Sequence, residues 1–282
     1  MSDKSVSGEQ SDRALSGGSP GPVPLAIAFL WSELRGKGWK LFAFPVGTGV
    51  LVAVSILGAS LTSLSLDPQT TQLLQDSAEQ YFATPPGEDD LLVALIVVQG
   101  PSIVITLAAA TSMFTVQTGL GKRLAGGEFE LLLSGPYRDK DVFVALVLGA
   151  FFLGMIGVAV LAALTIGVGL VVLLTSGVEL SSSGITLFSI GTVAVIPMVL
   201  WATFVSVVVY LVFPDAAMNN TDPGNLLVIL AILPAVGLVI ASTSDVGIDP
   251  LIIVIAANLV PLLGIAIGWV TISQWFSVEK IL

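Results

Sequence analysis

The sequence contains neither histidine nor cysteine, and only 11% of its 282 residues are charged. These absences exclude disulfides, the usual ligands of zinc, haem, iron–sulfur and copper centres, and catalysis by histidine or cysteine. We therefore expect no metal site and no catalytic residue in this chain. Hydrophobic residues, by contrast, make up 55% of the sequence, which is more than the surface of a water-soluble protein allows. The composition indicates a membrane protein.

The charge that is present is mostly negative: twenty acidic and ten basic residues give a formal net charge of −10. The acidic residues fall almost entirely in predicted loops and tails, a composition similar to that of halophile proteins. They could attract cationic partners or simply keep the loops hydrated at high salt, and we favour hydration. We expect no nucleic-acid partner.

Six apolar stretches are long enough to cross a bilayer, because about 20 helical residues span a hydrocarbon core of ~30 Å. We predict spans at residues 41–62, 91–116, 142–173, 185–213, 225–241 and 250–272. The third is longer than one crossing requires, so one long helix and a helix broken at its glycines both remain open. No ionisable residue lies in the middle of a span, which argues against proton-coupled transport and charge-lined channels.

The basic residues determine the predicted orientation. All ten lie before the first span, between the second and third, or near the C-terminus, and the positive-inside rule makes these three regions cytoplasmic. The loop after the first span carries acidic residues and no basic one, so we place it outside; its acids are Asp67, Asp76, Glu79, Glu88, Asp89 and Asp90. The sequence thus predicts an all-α polytopic protein of about six spans in the cytoplasmic membrane, with both termini cytoplasmic.

Two segments precede the six-span domain, which we assign to residues 41–282. Residues 1–24 are rich in serine, glycine, proline and charge, which is typical of a disordered tail. In residues 25–40, Leu30 and Leu34 lie four apart with charged residues opposite them, which predicts an amphipathic helix along the membrane surface. The candidate interfacial residues are Trp31, Glu33, Arg35, Lys37 and Trp39.

Gly264 and Gly268 form a small-xxx-small face in the last span. Such faces allow helices to approach closely. We favour packing within the chain, with a subunit interface as the alternative.

The cytoplasmic loop 117–141 carries the most informative pattern. A helix starting near Gly127 would place Phe129, Leu132 and Leu133 on one side, and Pro136 would end it. Considered alone, this pattern fits equally well an amphipathic connector that rests on the lipid surface.

The same segment resembles the cytoplasmic loop of type 2 ABC transporter permeases, whose pattern is roughly Gly-Thr-Leu-Glu-x-Leu-Leu-Ser-x-Pro. Glu128 departs from that pattern by replacing the threonine. The positions that match the pattern are Gly127, Phe129, Glu130, Leu132, Leu133, Ser134 and Pro136. The basic segment Trp31–Arg35 and the six-span layout with both ends inside are also similar to that family.

The resemblance implies that the loop forms a coupling helix, which docks into a groove of a separate ATPase subunit. Its candidate residues are Gly127, Glu128, Phe129, Glu130, Leu132, Leu133 and Pro136. ATP and magnesium would then be bound by the ATPase, and this chain would bind no cofactor and would not be an enzyme. A second permease copy, identical or homologous, would complete the pathway. The resemblance implies transport, with export as the expected direction, and the apolar spans favour an amphiphilic or apolar substrate, although no substrate-binding residue can be assigned. The alternative is a non-transporting membrane scaffold or assembly factor.

Overall fold

The computed structural model describes residues 21–61, 72, 75, 79, 81–83, 91–121, 126–127, 131–132, 134–135, 137–177, 179–212, 229–237, 240 and 250–275. Within these residues the chain is helical, apart from turns and one isolated bridge. The named helices are α1 (Pro22–Lys37), α2 (Ala43–Leu61), α3 (Leu91–Val116), α4 (Asp139–Ser176), α5 (Ser182–Val212) and α6 (Pro250–Trp275). A 3-10 turn (Gly38–Leu41) joins α1 to α2, and a π turn (Gln117–Gly121) extends α3.

The predicted class, an all-α membrane protein, is confirmed. Helices α2 to α6 coincide with the first, second, third, fourth and sixth predicted spans, and α3 matches its prediction at both ends. Among the described residues, three helices are long and apolar enough to cross a bilayer, and α1 with α2 forms a fourth candidate bent by 43°. Residues 229–237 of the fifth predicted span are helical. The rest of that span, except residue 240, lies outside the described residues, as does the tail 1–20.

Helix α4 settles the question about the third span. It is one continuous helix of 38 residues, about 57 Å long at 1.5 Å per residue. Its glycines do not break it, because Gly154 and Gly157 lie where other helices approach closely. The helix ends at Gly177, whose φ of 72° is the left-handed conformation that glycine adopts without strain.

The core lies where α3 packs against both α4 and α5. Helices α1 and α2 pack on α4, whereas α6 packs on α5. Hydroxyl side chains in this apolar core donate to the carbonyl one turn earlier, as Ser112 does to Ala108 at 2.7 Å and Thr203 to Val199 at 2.8 Å. These bonds satisfy polar groups that have no water to bind in a bilayer.

The small-xxx-small face of α6 packs within the chain. Gly264 faces the indole of Trp201 on α5, and Gly268 faces the ring of Phe204 one turn further along. Trp201 also donates its indole N–H to the carbonyl of Leu230 at 3.2 Å, which ties α5 to the helical residues 229–237. The glycine face therefore has a partner inside this chain.

Two connections meet at one end of the helices. Phe82 forms an antiparallel bridge with Leu180, flanked by the bonds Ala83 N–H to Glu179 O and Ser181 N–H to Tyr81 O, both 2.9 Å. Residues 81–83, before α3, therefore lie beside residues 179–181, before α5, at the same end of the helices.

The orientation is testable by cysteine labelling, because the chain has no native thiol. Gln75 and Ser134 are both exposed. In spheroplasts, we expect an impermeant maleimide to label Gln75→Cys and to leave Ser134→Cys unlabelled until the membrane is opened. Labelling of both variants in intact spheroplasts would contradict the predicted topology.

Candidate functional site

The described residues of the loop between α3 and α4 include part of the segment where the sequence predicts a helix. Gly127 has a φ of 78°, a conformation that favours glycine, and its carbonyl accepts the N–H of Leu131 at 3.4 Å. Leu131 and Leu132 are helical. The Ser134 hydroxyl then donates to the carbonyl of Leu131 at 2.8 Å, and the Gly135 N–H donates to that of Leu132 at 3.1 Å. These bonds close the turn.

Leu131 and Leu132 lie in different environments. Leu131 is 73% exposed, whereas Leu132 is half-buried and packs, with Tyr137, against the main hydrophobic core. The sequence pattern placed Leu132 on the docking face and omitted Leu131. Adjacent helical residues point about 100° apart, so the contact of Leu132 with the core directs Leu131 outward. The remaining predicted coupling residues, Glu128, Phe129, Glu130, Leu133 and Pro136, lie outside the described residues.

Helix α1 presents an apolar stripe with an aromatic and basic end. Val23, Ile27 and Trp31 follow one another at intervals of four, and each is more than half exposed. The Arg35 guanidinium lies 4.9 Å from the centre of the Trp31 ring, and Trp39 is 75% exposed. Exposed tryptophan beside basic residues is typical of a membrane interface. The interfacial role of Trp31, Arg35 and Trp39 stays a prediction.

Glu33 is an exception to the predicted pattern of α1. The sequence placed it on the water-facing side, but its side chain is only 2% exposed. It shares the inward side of α1 with Ala26, which is fully buried and approaches Gly149 of α4. A buried carboxylate requires a compensating partner, and Lys37, one turn further along, places its Nζ 3.1 Å from Glu33 Oε2. The prediction that Glu33 faces water is therefore wrong.

Lys37 also reaches the end of the second span. Its Nζ donates to the carbonyl of Thr118 at 2.6 Å and to that of Gly119, both in the π turn that extends α3. Gly119 has no side chain to obstruct this approach: a Cβ there would lie 3.6 Å from Glu33 Oε2 and 3.0 Å from Leu153. We call Glu33, Lys37, Thr118 and Gly119 the π-turn cluster.

Sequence reasoning missed the π-turn cluster, although two signals were available. A Glu and a Lys four residues apart in an otherwise apolar segment indicate an ion pair along a helix. The glycines at the end of the second span permit a close approach. What the sequence lacks is any sign that these two segments meet.

The described residues contain no group of three or more acidic side chains that could hold a metal ion. Comparison with family models, with curated proteins and with solved structures finds no match for this chain.

Proposed function

We propose that this chain is the membrane-spanning permease subunit of an ATP-binding-cassette transporter, with both termini in the cytoplasm. A separate subunit would hydrolyse ATP, a second permease copy would complete the pathway, and the cargo would be an exported amphiphilic or apolar molecule. The observation that carries the proposal is the loop between α3 and α4. It combines the permease-like motif with the helical residues Leu131 and Leu132, of which Leu131 is exposed and donates its N–H to the Gly127 carbonyl.

The turn is suited to transmit force from a partner protein. Its exposed leucine can enter an apolar groove, where a buried aliphatic anchor contributes strongly to affinity. Leu132 and Tyr137 fix the same turn to the core formed by α3, α4 and α5. A push on the exposed side would therefore reach the helices directly. Work is transmitted only if the partner contacts the turn differently in its two nucleotide states.

Purification of the full-length chain from its native membrane tests the proposal. We expect gentle extraction to recover a stoichiometric ATPase that carries a Walker motif. Repeated recovery of the chain alone, as a monodisperse species, would contradict the transporter proposal and favour a scaffold.

Substitution of Leu131 tests the docking turn. We expect Leu131→Asp to weaken association with the ATPase at least about 10-fold, because it places a carboxylate in the apolar contact. Since Leu131 is exposed, membrane insertion and the elution profile of the isolated chain should not change. Association constants would be measured by biolayer interferometry on protein in nanodiscs.

Leu131→Met is the matched control, because it changes the same exposed position and keeps an apolar side chain of similar size. It should retain most of the affinity. Equal binding by Leu131→Asp and the parent chain would remove Leu131 from the docking surface.

A further inference from the structure

We infer that Lys37 is a positioning residue: it joins helix α1 to the end of α3 and thereby sets the place from which the cytoplasmic loop leaves the membrane domain. The contact itself is independent of the proposed function. Its consequence for transport rests on that function, because only then does the loop carry work.

Unpaired carbonyl groups at the end of α3 explain why a cation belongs at this position. The last carbonyls of a helix have no partner within the helix, and the helix dipole makes that end partially negative. The Lys37 ammonium donates to Thr118 O and Gly119 O, and it forms an ion pair with the Glu33 carboxylate. The Lys37 side chain thus contacts groups on two helices, and Lys37 and Thr118 are 81 residues apart in the sequence.

Because the contact is largely buried, we expect it to be either fully formed or fully broken. Glu33 is 2% exposed and the Lys37 side chain 26% exposed, so water screens their attraction only weakly. Removing one partner from such a buried pair costs far more than breaking a surface ion pair. Helix α1 and the π turn should therefore move together or separate completely.

The Lys37 contact can link the loop to the first span because of where the π turn lies. π turns in α-helices frequently lie at functional sites, and this one directly precedes loop 122–138. On the other side, Lys37 ends α1 and is followed by the 3-10 turn that leads into α2. A displacement of the loop would thus reach the first span through one side chain, without passing along the intervening chain.

Hydrogen exchange on the full-length chain in nanodiscs, without an ATPase, tests the contact. We expect Lys37→Met to raise the exchange rate of the amides in 117–121 about tenfold, since charge-assisted hydrogen bonds that hold the turn are lost. Exchange in the core of α5 should not change. Lys40→Met is the matched control, because Lys40 is exposed and lies outside the π-turn cluster. It should leave the π turn unchanged.

Two further variants separate positioning from general destabilisation. Lys37→Arg keeps the charge and the donors, and it should restore slow exchange in the π turn. Glu33→Gln/Lys37→Met removes both charges, so it should fold even if Lys37→Met does not, and it should still show fast exchange at 117–121. Slow exchange in this double variant, or equal acceleration throughout the chain in Lys37→Met, would overturn the inference.

A second measurement distinguishes the inference from the proposed function. In the assembled transporter, Lys37→Met should lower the cargo moved per ATP hydrolysed while leaving the affinity for the ATPase within about twofold, because surface contacts away from the mutation are largely unchanged. Fast exchange at 117–121 in Lys37→Met, combined with failure of the native chain to recover an ATPase on purification, would keep the positioning role and reject the transporter. Unchanged exchange at 117–121 in Lys37→Met, in a chain that binds the ATPase, would keep the transporter proposal and reject the positioning role.

Discussion

Replacing Gly154 with valine should lower the thermal midpoint of the purified chain by about 10 °C, because overpacking a helix seam costs about 3 kcal/mol. Gly154 lies on α4 where α3 and α5 both approach. A Cβ at this position would lie 3.2 Å from the Ser112 hydroxyl oxygen and 3.3 Å from a methyl group of Thr203. Both side chains are fully buried and bonded to their own helices, so neither can easily move away. The two methyl groups of valine would therefore separate α4 from its neighbours.

Gly167 provides the control on the same helix. No atom lies within 4 Å of a Cβ placed there, so Gly167→Val makes the same chemical change without a collision. Its thermal midpoint should remain within about 2 °C of the parent, as for other substitutions away from packed sites. The midpoint would be measured by fluorescence-detected size-exclusion chromatography after heating. Equal midpoints for the two variants would show that α3, α4 and α5 do not pack through Gly154.

The helices of this fold were predictable because the bilayer imposes them. A spanning segment must be apolar and must satisfy its own backbone groups, so apolar runs mark the helices, and α3 begins and ends where its run does. The continuity of α4 was not predictable. Gly154 is equally compatible with a helix break and with close packing, and only the position of Ser112 and Thr203 on other helices distinguishes the two.

In the candidate site, too, some features follow from the local sequence and others depend on contacts between distant segments of the chain. The helical residues Leu131 and Leu132 lie in the segment where the local sequence predicts a helix. The burial of Glu33 does not follow from local sequence, since it depends on how α1 packs against α4 and on Lys37, which also reaches Thr118 and Gly119. Similarly, the division between Leu131 and Leu132 depends on which of them contacts the core. An amphipathic pattern identifies a face but not what covers it.

Replacing Gly184 with alanine should open the contact between residues 81–83 and residues 179–181. Gly184 lies in the first turn of α5, where an added Cβ would overlap the carbonyl oxygen of Tyr81, a backbone atom that cannot rotate away. That oxygen accepts the N–H of Ser181 at 2.9 Å, so the added methyl group must also displace a bond that joins the loops. Tyr81 and Phe82 are 4% and 3% exposed, and moving them outward exposes aromatic surface worth about 3 kcal/mol.

The effect can be read by hydrogen exchange at the amides of Ala83 and Ser181, which donate across this contact. We expect Gly184→Ala to raise their exchange rate about tenfold or more, because the bonds to Glu179 O and Tyr81 O are broken. Gly167→Ala adds the same methyl group where no atom lies within 4 Å, and it should leave the rate unchanged. Because Gly184 lies at the end of the helices opposite Lys37, the substitution should also leave hydrogen exchange at 117–121 unaltered. Faster exchange there would show that the two ends of the helices move as one unit.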